Sequence, residues 1–263
     1  MNEKLTPKES EQSGELLKKE IIEAIKKHQE ISPDVISSVE TMIESISDKN
    51  QFHDLDEVKV WFKKKVDECP MAVEEIGLKD VKGGWHYNEK GNLVHESGGF
   101  FSVIGVKVSN AQFRESGKGW EQPMVDQGTK SSINATLRKR FNGVYHYLVQ
   151  AKAEPGNYGK VQVSPTLQVT FSNFNQMHKG NKPLFSDLYD DPEKYKVVYA
   201  HWLPEDGGRF YLKRIYSMLV EADENTEIQV PEGFIWLTMY QIKQLLKEDN
   251  IVNPHIRSII AHL

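Results

Sequence analysis

The chain has 263 residues, with 33 Lys and Arg against 38 Asp and Glu, a formal net charge of −5. No global basic field exists to draw nucleic acid, so a phosphorylated ligand must meet local cations. Hydrophobic residues at 38% and aromatics at 10% suffice for a substantial core, while no apolar run approaches the roughly 18 residues needed to span a bilayer. The single cysteine, Cys69, excludes an internal disulfide and a Cys-rich zinc site. With a polar, acidic start (MNEKLTPKESEQSGE) in place of a secretory leader, a reduced, cytoplasmic protein is expected.

The first stretch, to about Glu68, is rich in Glu, Lys, Ile and Ser and nearly free of Gly. Its opening residues show no periodicity. Leu17, Ile21, Ile22 and Ile25 then recur at helical spacing, which predicts a first helix just after Ser13-Gly14. Ser32-Pro33 reads as N-cap and first-turn proline of a second helix carrying Val35, Val39, Met42, Ile43 and Ile46. Asp54 with Glu57 forms a capping-box pattern before Val58, Trp61, Phe62 and Val66. From Pro70 the pattern turns to strands. Phe100–Val108 and Val144–Ala151 are β-branched and aromatic, and Val197–Trp202 and Arg209–Val220 read likewise. Between them, Gly159–Phe171 alternates: Val161, Val163, Leu167, Val169 and Phe171 face one way, and the polar but uncharged Gln162, Ser164, Thr166, Gln168 and Thr170 the other. Pro165 must sit at an edge, a bulge or a break. The end is helical again, with a Thr238/Gln241 capping box and an Asn253-Pro254 start. The expected architecture is α+β: a helical N-terminal extension over residues 1–69 and a mixed-sheet domain over 70–263.

Several segments carry side chains suited to chemistry. The row of amides and hydroxyls on Gly159–Phe171 suits a hydroxyl-rich ligand, and equally a solvated sheet face. Lys152 and Glu154 share a face, as a proton-transfer pair or an ordinary surface ion pair; Pro155-Gly156-Asn157 follows as a turn. Arg209, Lys213 and Arg214, after Gly207-Gly208, are local cations that can hold a diphosphate or line a solvated edge. Trp120 lies in a Gly-rich loop after Gly117 and Gly119, where it caps the core or stacks on a base. His146 falls in an apolar strand and reads as structural or catalytic; His86 and His95 fall in turn-like segments. There is no P-loop, no strand-linked GxGxxG, no GxSxG, and no HExxH or CxxC spacing, which disfavours nucleotide hydrolysis by a P-loop, a Rossmann unit and a zinc site.

Read together, these blocks resemble the NDP-hexose 2,3-dehydratases. Gly98–Gly105 (GGFFSVIG) is similar to the family's opening block, and Trp120-x-Gln122-Pro123 to its Trp-x-Gln-Pro block. His146–Asn157 (HYLVQAKAEPGN), continuing into Val161–Asn173, resembles its most distinctive stretch. Gly207–Tyr211 (GGRFY) resembles a further block, and Phe234–Thr238 with Asp249–Asn253 the closing one. The likeness runs in order from about Trp85 to Leu263. It implies a Nudix-like fold without Nudix chemistry, since the Glu-rich magnesium box is missing, and a dTDP-4-keto-6-deoxyhexose substrate dehydrated to a 3,4-diketo-2,6-dideoxy sugar with neither metal nor NAD. Two departures stand out. Family chains typically hold two copies of the module where this one holds one, which leads to the expectation of a homodimer. After Tyr211 the chain reads Leu-Lys-Arg-Ile-Tyr where an Asn-Arg pair is expected, so Arg214 is a less direct match than Arg209.

The implied elimination needs a base for the C3 proton, a donor for the C4 enolate oxygen and an acid for the leaving C2 hydroxyl. Glu154 is the expected base and Lys152 the enolate donor, with Tyr211 or His146 protonating the hydroxyl. Gln162, Ser164, Thr166 and Gln168, beside Asn157, are expected to line the sugar. Trp120 and Gln122 are assigned to the thymine, and Arg209 and Arg214 to the diphosphate. A non-catalytic nucleotide-sugar-binding module and a Nudix-type hydrolase are the alternatives.

Overall fold

The computed structural model describes residues 7–28, 32–49, 52–115, 117–128, 132–176, 181–191 and 193–263, and not the side chains of 7–15, 28, 33 or 34; residues 1–6, read above as aperiodic, lie outside it. In chain order its elements are α1 (Pro7–His28), α2 (Pro33–Glu44), α3 (Leu55–Asp67), β1 (Trp85–Tyr87), β2 (Leu93–His95), β3 (Ser102–Val108), β4 (Trp120–Asp126), β5 (Ser132–Phe141), β6 (Val144–Ala153), β7 (Val161–Pro165), β8 (Leu167–Thr170), α4 (Phe171–Phe174), α5 (Asp187–Asp190), β9 (Lys196–Pro204), β10 (Arg214–Glu221), β11 (Phe234–Thr238), α6 (Met239–Leu245) and α7 (Pro254–Ile260). The class is the α+β one expected from the sequence. Among the described residues no helix is long and apolar enough to cross a membrane.

Local chemistry sets most helix starts. Asp54 accepts from the Glu57 amide at 2.8 Å, and the Glu57 carboxylate accepts from the Asp54 amide at 3.0 Å, closing the expected box at α3. Thr238 and Gln241 do the same at α6. Ser32 precedes Pro33 at the start of α2 without a side-chain cap bond. Helix α1 starts at Pro7, earlier than the sequence suggested, because a proline fits the first turn and one interior Gly costs a helix only about 1 kcal/mol.

The chain forms two units. The first comprises Met1–Cys69, Thr136–Pro165 and Glu221–Leu263; the second comprises Pro70–Ala135 and Thr166–Val220. Residues 70–263 are therefore divided between both. In the first unit β11 pairs with β6 along its whole length, β7 pairs with the second half of β6, and the end of β5 pairs with its start, all antiparallel. Val58, Leu148, Val149, Val163, Leu237, Ile242, Leu245, Ile256 and Ile259 are fully buried there, each such side chain contributing about 1.5–3 kcal/mol. In the second unit β1 to β4 form an antiparallel sheet in sequence order, and β8 pairs with the first residues of β5.

Four local expectations change. Trp120 opens strand β4 opposite Val108 and is not in a loop; Gly119 is a glycine because a Cβ there would lie 2.3 Å from the Val108 carbonyl oxygen, so it serves close strand approach. His86 and His95 sit in the short strands β1 and β2. The strand expected from Arg209 begins only at Arg214, because Leu212 takes a left-handed backbone (φ 52°) that no strand accommodates. Gly159–Phe171 is two strands, not one. Pro165 ends β7, which pairs with β6, and β8 then pairs with β5.

Candidate functional site

Within the first unit, β6 carries Lys152 outward to a tight turn. The Lys152 ammonium lies 3.5 Å from the Glu154 carboxylate, with the two side chains 26% and 41% exposed. The turn closes on itself: the Glu154 amide donates to the Lys160 carbonyl and the Lys160 amide to that of Asn157. The Asn157 side-chain amide donates to the Lys160 and Lys152 carbonyls at 3.1 and 3.5 Å. Lys152 pairs directly with Gln162 on β7, and Gln150 with Ser164. Gln162 is held at both ends, donating to the Asn250 carbonyl at 3.2 Å and accepting from the Asn253 side chain at 3.5 Å. Buried Ser164 donates to the Gln162 carbonyl at 3.3 Å. The structure therefore gathers Lys152, Glu154, Asn157 and Gln162 at one end of a ribbon.

His146 is elsewhere on that ribbon. It stands six positions before Lys152 on one strand, about 20 Å at the strand rise of some 3.4 Å per residue. Its ring is fully buried, edge-on to Phe52 and Phe141, with Nδ1 3.1 Å from the Val144 carbonyl oxygen. Burial holds its pKa below the usual imidazole value, against a smaller opposing effect of that backbone contact. The ring is thus neutral at pH 7.

Within the second unit, Trp120 is braced by a relay. Its indole N–H donates to the Gln122 carbonyl oxygen at 2.7 Å, and the Gln122 amide nitrogen donates to the Gly208 carbonyl at 2.8 Å. With both amide ends engaged, Gln122 orients the ring, and the ring's faces are what it offers. The guanidinium of Arg114 lies 5.8 Å from the ring centroid, and a cleft of about 520 Å³ lined by Lys107, Asn110, Gly119 and Trp120 adjoins it. Arg209 pairs with Asp206 at 2.6 Å, the same carboxylate that caps the Gly208 amide; those two contacts hold the Asp206 carboxyl below its ordinary pKa. Tyr211 is partly exposed, its backbone amide donating to the Val125 carbonyl at 2.8 Å. Exposed Arg214 lies 5.2 Å from the Trp202 ring, which contacts Phe171 and Tyr216. Thr166 is buried, and Gln168 is half-buried opposite Asn134.

Sequence reasoning missed Asn134. It lies in β5, a strand not anticipated although Ile133, Ala135 and Leu137 alternate with Asn134, Thr136 and Arg138; the strand is buried on both faces. A short run of Asn and Thr between Ile133, Ala135 and Leu137 was the available signal.

A relative from Amycolatopsis orientalis, a dTDP-4-dehydro-6-deoxy-alpha-D-glucopyranose 2,3-dehydratase, is 34% identical over 215 residues, covering 79% of this chain and 44% of its own length. Proteins of the same name from Streptomyces violaceoruber and Saccharopolyspora spinosa are 33% and 39% identical, with 83% and 65% of this chain and 47% and 34% of theirs covered. The chain thus spans less than half the length of the curated relatives it matches. Among solved structures, an ADP compounds hydrolase aligns at a TM-score of 0.36 with 9% identity, over 62% of this chain and 83% of that one. The Nudix domain of a Shewanella oneidensis protein aligns at 0.25 with 13% identity, over 49% and 82%. Scores this low carry no further argument. The NDP-hexose 2,3-dehydratase family matches residues 55–263, and the chain belongs to that family.

Proposed function

We propose that this module takes a dTDP-linked 4-keto-6-deoxyhexose and eliminates water across C2 and C3. The observation that carries the reading is the Lys152–Glu154 pair, a carboxylate and an ammonium 3.5 Å apart at the end of β6, in a chain of a dehydratase family. The C4 ketone acidifies the C3 proton, and Glu154 removes it. Negative charge moves to the C4 oxygen, where the Lys152 ammonium stabilises it. Collapse of the enolate forms the C2–C3 double bond and breaks the C2–O bond. The departing hydroxide takes a proton from an acid and leaves as water, and the enol tautomerises to the 3,4-diketone. The neutral, buried state of His146, six positions before Lys152 on β6, disfavours it as that acid. On the second unit, Trp120 presents a ring face suited to a nucleobase, and Arg209 and Arg214 present charge suited to a diphosphate.

Glu154→Gln is expected to bind the nucleotide sugar while losing about 10²-fold or more in turnover, the scale of a general base. The assay couples the unstable diketone to a 3-ketoreductase and follows the 2-deoxy product. Unchanged turnover removes Glu154 from the role.

A second reading is a module that binds the nucleotide sugar without turning it over. The engagement of Gln162 and Asn157 by the protein's own backbone favours it. Tight binding of the keto sugar with no 2-deoxy product would establish it. In either case we expect two associated copies, which sedimentation of the purified protein tests.

A further inference from the structure

β8 and the start of β5 place Asn134 directly opposite Gln168. Opposed residues of an antiparallel pair project to the same side, with Cβ atoms about 4.5–5.5 Å apart. Asn134 is completely buried, and neither its Oδ1 nor its Nδ2 has a hydrogen-bond partner. The Oε1 of Gln168 is likewise buried and unpartnered. Ile133, Ala135 and Leu167, the strand neighbours, are apolar and buried and offer nothing to either amide. Buried polar groups are hydrogen-bonded in the great majority of cases, and two carboxamides left open side by side call for an occupant.

The open atoms define the occupant's chemistry: two carbonyl oxygens that accept and one amide nitrogen that donates. Phosphate oxygens only accept, so a diphosphate leaves both carbonyls unserved and close to negative charge. The imide edge of a pyrimidine has a single N–H between two carbonyls, so it serves only one of them. Two adjacent hydroxyls supply two donated hydrogens and still accept from the nitrogen. We propose that Asn134, with Gln168, is a specificity-determining subsite for a vicinal diol of the hexose ring. This assignment rests on the nucleotide-sugar reading above.

The experiment titrates wild type and Asn134→Leu with dTDP, dTDP-glucose and dTDP-2-deoxyglucose by calorimetry, and melts both proteins. Wild type is expected to bind dTDP-glucose about tenfold or more tighter than the 2-deoxy sugar, the effect of one or two hydrogen bonds to buried groups. Asn134→Leu is expected to bind the two sugars equally and dTDP as the wild type does. It should also melt no lower, because leucine of similar size removes an unsatisfied amide. Retained discrimination in the variant overturns the subsite. So does a fall in melting temperature of more than about 4 °C, or a failure to fold, since either means that the protein or a fixed water completes Asn134. If wild type binds none of the three ligands, the nucleotide-sugar reading fails and the subsite with it; if it binds them and only the variant's behaviour disagrees, the subsite alone fails.

Discussion

Gln162 and Gln168 stand six residues apart in one alternating sequence and end in opposite circumstances. Gln162, on β7 of the first unit, has its amide nitrogen on the Asn250 carbonyl and its oxygen within reach of Asn253. Gln168, on β8 of the second, has a buried oxygen with no partner, opposite an Asn134 that has none either. The alternation of polar residues says which way a side chain points and nothing about whether its atoms are already engaged. Engagement decides what a polar group is for: a satisfied amide holds the fold, and an open buried one waits for a ligand. Gln162 is of the satisfied kind, and mutation there should cost stability that the Asn134 region does not lose.

The largest effect is expected at Arg138. Its side chain is 1% exposed, with Nε and Nη2 donating to one Glu221 oxygen at 3.0 and 2.7 Å. Nη2 also donates to Ser37 on α2, and the guanidinium carbon lies 4.0 Å from the Tyr145 ring centroid. Arg140 extends the network to Glu40 and Glu44 on the same helix. Arg138→Met leaves the Glu221 carboxylate without its main partner. Breaking a buried pair from one side costs about 3 kcal/mol or more, a fall of some 6–12 °C in melting temperature. A melting curve unchanged by the substitution would show that the network adds nothing to the satisfied half of the comparison.

Gln162→Leu should give a smaller loss of about 1 kcal/mol, near 2–4 °C, as Asn250 and Asn253 lose a partner at a half-buried site. The sign is what sharpens the contrast, since Asn134→Leu should leave melting level or raise it. Equal losses at both positions would erase the distinction between engaged and open amides.

His146 adds a pH dependence. Burial lowers its folded pKa below the unfolded value near 6.5. As pH falls below about 6.5 the unfolded chain takes up a proton that the folded ring refuses, so folding stability declines towards the lowered pKa and is unaffected above. Urea melts from pH 7.5 to 5 should show this slope in the wild type and lose it in His146→Phe, which packs against Phe52 and Phe141. A slope that persists in the variant assigns it to other groups.

Much of this molecule was readable in the sequence where the controlling interaction is local. The capping boxes at Asp54/Glu57 and Thr238/Gln241 and the Asn253-Pro254 start depend on residues within a turn of each other. The break at Pro165 was readable for the same reason, but not that the chain changes partner there, because pairing of β7 with β6 and of β8 with β5 is settled by distant strands. β5 carries the alternation of Ile133, Ala135 and Leu137, but the burial of its polar side chains is set by tertiary structure and not by pattern. Of the candidate residues, Lys152 and Glu154 meet because two positions on one extended segment share a face. That Gln162 is engaged and Asn134 open depends on Asn250 in one case and on no side chain in the other.

The smallest stability effect should come from Lys152, and it separates the two meanings of its contact with Glu154. The pair is monodentate at 3.5 Å, with side chains 26% and 41% exposed, where ion pairs contribute about 0–1 kcal/mol. Lys152→Met keeps the stem that packs along the strand and removes the charge, so its melting temperature should move by no more than about 2–4 °C. If the contact is only a surface ion pair, turnover moves as little as stability. If the ammonium stabilises charge growing on the C4 oxygen, its loss is felt in the transition state and hardly in the bound ground state. kcat should then fall about 10²-fold or more while the affinity for dTDP-glucose, a ligand that forms no enolate, stays as it was. A fall in affinity that accounts for the whole loss would make Lys152 a binding residue and move the enolate donor elsewhere.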